Sequence, residues 1–123
     1  LPALRTRLRD AAWRHAGVIR SAEGMARGLA EAEALHATIA AVRTEVPRER
    51  ILRQDLLGAA LSLRAILTAS LGRPESRGCF IRSDFPDQDD RRWLKNSRLS
   101  WDPSANRFRL AHVEAAAGEA DAA

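Results

Sequence analysis

The sequence predicts an all-α fold, a three-helix antiparallel bundle followed by an irregular loop and a short C-terminal β-hairpin or extended arm. Three observations lead there. Apolar residues recur at three- and four-residue spacings through residues 1 to 71, each periodic tract ends at Gly or Pro, and only after residue 96 does the pattern shift to alternation.

In the first tract, Leu4, Leu8, Ala12 and Ala16 fall at four-residue intervals, with Trp13 beside the stripe and arginines opposite. That is an amphipathic helix ending near Gly17. Its Arg-rich start has the look of a transit peptide, but Trp13 and Asp10 suit a structural helix better. The second tract opens on Ser21 as N-cap with Glu23 in the first turn, and it stops before Pro47. Met25, Leu29, Ala32, Leu35, Ile39 and Val42 form one seam along it, and Gly24 with Gly28 permits close approach of a neighbour. The third tract carries Ile51, Leu52, Leu56, Leu57, Leu61, Leu63, Ile66, Leu67 and Leu71, too many for one narrow stripe. It is expected to be buried on more than one side, against both other helices, and to end at Gly72 and Pro74.

Beyond the helices, Leu99 and Trp101, then Phe108, Leu110 and Val113, alternate with polar residues around "DPSAN", which predicts a hairpin or arm over 97–113. Residues 114–123 lack large apolar side chains and read as a disordered tail. The expected domain plan is therefore a bundle with its loop over 1–96, the arm, and the tail.

The chain has 123 residues, with 20 Lys+Arg against 16 Asp+Glu and a formal net charge of +4. That length allows one core and leaves no room for a cofactor domain beside a substrate domain. Lys95 is the only lysine, and acids are mixed among the arginines. Such a bias reads as solvated helix faces written by a GC-rich genome, not as a nucleic-acid footprint. No apolar run approaches bilayer length, so no direct membrane insertion is expected and the chain is expected to be soluble and cytoplasmic. Leu1 and Pro2 suggest an internal position of a longer chain. Cys79, the one cysteine, excludes an internal disulfide and is expected to be a small buried residue.

Motifs of self-sufficient chemistry are missing: there is no G-x-G-x-x-G, P-loop, HExxH or paired CxxC. His15, His36 and His112 lie in different segments and read as packing or surface residues. Asp84, Asp87, Asp89 and Asp90 lack calcium-loop spacing and read as a turn with an N-cap before "RRWL". No catalytic, cofactor-binding or metal-binding residue is expected here.

The exception is "ESRGCFIRSDFPDQDDRRWLKN", residues 75–96. It resembles the E-S-R-G-x-H-x-R-x-D-F/Y-P…DD…W-x-K-H pattern of the succinate dehydrogenase, fumarate reductase and L-aspartate oxidase flavoproteins. Upstream, "LRDAAWRHAGVIRSAEGM" is similar to that family's L-R-x-x-M-W-x-x-x-G-I-V-R-x-x-x-G-L segment, in the same order. The arm "RLSWDPSANRFRLAHV" resembles the strand-turn-strand of the dehydrogenase branch. Phe80 and Asn96 stand where the family usually has histidines, which weakens transfer of one substrate.

The resemblance implies the C-terminal helical domain of a longer chain, packed against FAD-binding and capping domains that move a hydride between FAD and a small dicarboxylate. The family's FAD-binding glycines and principal substrate residues lie outside the residues matched here, so this piece alone is expected to hold no FAD and to turn over nothing. Implied partners are those two domains and an iron–sulfur subunit, which would bring the protein to the inner face of a membrane. Glu75, Ser76, Arg77, Gly78, Arg82, Asp84 and Pro86 are the signature residues, expected to form a charged loop that orients a neighbouring domain. Arg77 or Arg82 could instead reach a substrate carboxylate. An L-aspartate oxidase is the close alternative, and a stand-alone Arg-rich helical interaction module is the alternative from another class.

Overall fold

The computed structural model describes residues 1–115, and the predicted tail lies almost wholly outside them. The chain runs α1 (Pro2–His15), β1 (Ile19–Arg20), α2 (Ala22–Ala41), α3 (Pro47–Leu71), β2 (Ile81–Arg82), α4 (Asp90–Trp93), β3 (Lys95–Asp102) and β4 (Arg107–Glu114). It is mostly helical, with a small antiparallel strand pair at the C-terminal end.

Prolines open two of the helices, Pro2 in α1 and Pro47 in α3, where a missing N–H costs nothing. Ser21 caps α2 as expected, its Oγ accepting the Gly24 N–H at 3.1 Å. Met25, Ala32, Leu35 and Ile39 of the seam are fully buried and meet Leu8 and Ala11 of α1 and Leu56, Ala60, Leu63 and Leu67 of α3. Thus α2 is the central element, packed against both α3 and α1.

Trp13, beside the apolar stripe, is 86% exposed, because the buried residues of α1 are Leu8 and Ala11 and position 13 faces solvent. Two expectations need correction. In α3 the fully buried residues form one stripe and Ile51 and Ile66 remain exposed, although the helix does lie against both other helices as expected. Cys79 is exposed at a tight turn, not buried.

Gly28 is the close-approach point of the helices. A Cβ there would lie 2.5 Å from the His15 Cβ of α1 and 3.1 Å from Leu67 Cδ1 of α3. By contrast, Gly58 on the outer face of α3 has nothing within 4 Å.

The hairpin is real and slightly longer than predicted, with Leu99 opposite Leu110 and Trp101 opposite Phe108. Its turn is held by Asp102, whose Oδ1 accepts the N–H groups of Ser104 and Ala105, and it closes on Asn106 at φ 51. Leu110 seats against Gly72, at a place where a side chain on Gly72 would collide with it. Buried Arg64 of α3 ties the hairpin tip to the helices: its guanidinium bonds His36 Nδ1 of α2 at 2.9 Å and the Asn106 carbonyl at 2.5 Å. Burial and the Arg64 charge push His36 below its ordinary value, which keeps the ring neutral and able to accept.

Replacing Gly28 with Ala sets a helix-propensity gain of about 0.8–1 kcal/mol against an overpacking cost of about 1–3 kcal/mol. Urea unfolding should show Gly28→Ala less stable, while Gly58→Ala is more stable. Equal gains at both positions would mean that His15 does not press on Gly28.

Candidate functional site

Residues 73–96 were expected to be an irregular loop, and they contain more order than that. β2 pairs in parallel with β1, Ile19 opposite Ile81 and Arg20 opposite Arg82, so the loop is stitched to the link between α1 and α2. Gly78, at φ +58, makes the sharp reversal that lets Arg77 and Phe80 exchange backbone hydrogen bonds at 2.8 and 2.9 Å. Asp89 caps the single turn of α4 by accepting the Arg92 N–H at 3.1 Å, the expected cap before "RRWL".

Two buried ion-pair clusters organise this loop. In the first, Glu75 is fully buried and all of its acceptor capacity is used. Its Oε1 accepts from Arg73 at 2.6 Å and Arg77 at 2.8 Å, while Oε2 accepts the Asp89 N–H at 2.8 Å. Arg77 reaches on to Asp90 at 2.7 Å, and Arg73 donates to the carbonyls of Trp93 and Lys95. Burial pushes the Glu75 carboxyl up, but hydrogen bonds from Arg77, the Asp89 N–H and Arg73 outweigh it and hold the carboxyl below its ordinary value. Hydrogen bonds to Glu75 and Asp90 in turn raise Arg77.

In the second cluster, Arg82 is 2% exposed. Its guanidinium grips Asp84 bidentately at 3.0 and 2.7 Å. The remaining Nη1 donates to the carbonyls of Leu71 at 3.3 Å and Arg73 at 3.2 Å, just past the end of α3. Asp84 also accepts the Ala22 N–H, in the first turn of α2, at 3.2 Å. Bonds from Arg82 chiefly, and from that N–H, keep Asp84 below the usual carboxylate range against its partial burial. Ser76 joins the clusters by accepting the Arg82 N–H at 2.9 Å and donating to the Phe85 carbonyl at 2.7 Å. Pro86 is exposed at the edge of the loop.

The structure therefore brings Glu75, Ser76, Arg77, Arg82 and Asp84 together as one hydrogen-bonded clamp. Two further members, Arg20 and Arg73, were not singled out from the sequence. Arg20 donates to the Gly17 carbonyl at 2.7 Å and to Ser70 Oγ at 2.8 Å, with its Cζ 5.3 Å from the centre of the Phe80 ring. Nothing in an Arg-rich chain distinguishes these two from solvated neighbours. What sets them apart is burial by segments remote in sequence.

Residues 5–119 match the family described as "Fumarate reductase flavoprotein C-term". The chain belongs to this family. Among its relatives, the fumarate reductase flavoprotein subunit of Helicobacter pylori is 30% identical over 107 residues, covering 83% of this chain and 15% of that protein. The L-aspartate oxidase of Caulobacter vibrioides is 43% identical over 82 residues, covering 67% of this chain and 13% of that one. The fold is shared with adenylylsulfate reductase from Archaeoglobus fulgidus at a TM-score of 0.85 and 18% identity, over 92% of this chain and 19% of that chain. The chain thus spans only 13–15% of the length of these curated relatives.

The N-terminus of α2, where an anion could bind, already receives Asp84, and the single residue Ser21 rather than a glycine-rich turn joins it to β1. Among the described residues no group of three His, Cys, Asp or Glu side chains could hold a metal, and no helix is long and apolar enough to cross a membrane.

Both clamp carboxyls titrate lower in the folded chain than the values near 4 of an unfolded one. On acidification the unfolded chain takes up protons first, so their stabilisation is complete above about pH 5 and is lost as pH falls through the lowered folded values. Glu75→Gln should cost about 3–5 kcal/mol at neutral pH, because it leaves Arg73 and Arg77 without their shared partner. Urea unfolding across a pH series should also show a shallower acid limb for the variant. An unchanged acid limb would exclude Glu75 as a source of the acid sensitivity.

Proposed function

We propose that this chain is the C-terminal three-helix bundle domain of an FAD-dependent oxidoreductase of the succinate dehydrogenase/fumarate reductase type. The bundle with its loop, residues 1–96, packs on FAD-binding and capping domains of the same chain, and the hairpin arm, 97–113, braces the loop from behind. The rest of the chain moves a hydride between FAD and a small dicarboxylate. Partners of the whole protein include an iron–sulfur subunit, through which a cytoplasmic flavoprotein sits at the inner face of a membrane.

Support for the docking role comes from a contrast on one side of the molecule. The signature charges are mostly paired with one another, while beside them Arg9, Trp13, Val18, Ile19 and Cys79 line an open groove. Trp13, Val18 and Ile19 are 86%, 63% and 68% exposed. An apolar patch clustered next to a rigid loop is what a domain presents to a neighbour. In this reading Glu75, Ser76, Arg77, Gly78, Arg82, Asp84 and Pro86 fix the shape of the docking face and do not touch substrate.

The higher identity to an L-aspartate oxidase favours aspartate oxidation as the second reading. Flavin absorbance of the full-length native product decides between them. A flavin band bleached by succinate, and restored by fumarate, is expected. Bleaching by aspartate would move the protein to the oxidase branch, and a colourless product would overturn both readings in favour of an Arg-rich interaction module.

A further inference from the structure

A small cavity of about 330 Å³ lies between the loop and the helices, lined by Arg20, Ala69, Ser70, Arg73, Arg77, Phe80 and Ser97. Three arginines, Arg20, Arg73 and Arg77, line it. Glu75 pairs with Arg73 and Arg77, and Asp90 pairs with Arg77. Arg20 forms no ion pair with any described carboxylate, so the cavity wall keeps one uncompensated positive charge.

The free donors point to the same conclusion. Arg20 uses Nε and Nη1 on Gly17 and Ser70, and Arg77 uses Nε and Nη2 on Glu75 and Asp90. Nη2 of Arg20 and Nη1 of Arg77 have no protein acceptor among the described residues. Burial lowers the Arg20 guanidinium, with no nearby anion offsetting that desolvation. The Phe80 ring, 5.3 Å from Arg20 Cζ, and Ala69 supply an apolar wall.

We propose that this cavity is a binding site for a carboxylate, held by the free ends of the Arg20 and Arg77 guanidiniums and closed on one side by Phe80. One surplus positive charge matches a monoanion better than a phosphate dianion, and guanidinium forks suit the planar carboxylate. The carboxylate comes either from a small organic acid in solution or from an Asp or Glu side chain of the rest of the polypeptide. The site uses none of the hydride chemistry proposed above, so it stands or falls independently of flavin content.

Crystal structures of the full-length native product, grown without and with acetate, test it. A carboxylate oxygen within hydrogen-bond distance of Arg20 Nη2 or Arg77 Nη1 is expected. If it appears only with acetate the source is a free acid, and if an Asp or Glu side chain fills the cavity in both crystals the source is the chain itself. In the first case, calorimetric titration with acetate should saturate, and Arg20→Gln should weaken it at least about tenfold, the scale of one charged hydrogen bond. Water alone in both crystals with no saturable acetate binding would overturn the proposal. So would inorganic phosphate binding more tightly than acetate.

Discussion

The buried guanidinium of Arg82 is the piece on which the rest of this structure depends. An α-helix leaves its last carbonyls and first N–H groups unpaired, with partial negative charge at one end and partial positive at the other. Arg82 meets carbonyls at the end of α3, and its partner Asp84 meets an N–H at the start of α2. A single ion pair thereby answers two opposite helix ends and fastens the loop to both. Its desolvation is offset because both carboxylate oxygens and most of the guanidinium donors are engaged, the condition under which a buried pair can be tolerated.

From that point the order of the loop propagates. Ser76 takes the Arg82 N–H, which places Glu75 next to it in the interior. Glu75 gathers Arg73, and Arg73 in turn holds the Trp93 and Lys95 carbonyls where β3 begins. The hairpin then lies back over the end of α3, with Leu110 on Gly72 and Arg64 beneath its tip. Each step places a charge in the interior only where a partner from another segment is waiting, which makes the arrangement cooperative.

What the sequence made legible follows from the range of the forces involved. The seam Met25, Ala32, Leu35, Ile39, the Ser21 and Asp89 caps and the Leu99–Leu110 hairpin are set by neighbours a few residues away, and they were readable from spacing. The pairing of Ile19 with Ile81 is two residues long and joins segments 62 residues apart. No periodicity can announce so short a contact. The roles of Arg20, Arg64 and Arg73 were hidden for a related reason: in a chain whose helix faces are coated with arginine, only tertiary burial separates a structural guanidinium from a solvated one. Cys79 was misplaced because a lone cysteine is ordinarily a small buried residue, whereas the left-handed turn at Gly78 turns it outward.

The inward direction of the signature charges bears on what the resemblance to the flavoproteins measures. Glu75, Arg77, Arg82 and Asp84 spend most of their hydrogen-bonding capacity on one another, on Arg73 and Asp90 and on backbone groups, so the matched positions are those that build the clamp. Relatives named for fumarate and for L-aspartate match this chain, and one named for adenylylsulfate shares its fold at 18% identity. Information about neighbours resides instead in the groups left unsatisfied at the surface: the groove around Trp13 and Ile19, and the free donors of Arg20 and Arg77. The first is apolar and broad, suited to a packed domain face, while the second is charged and narrow, suited to a single anion.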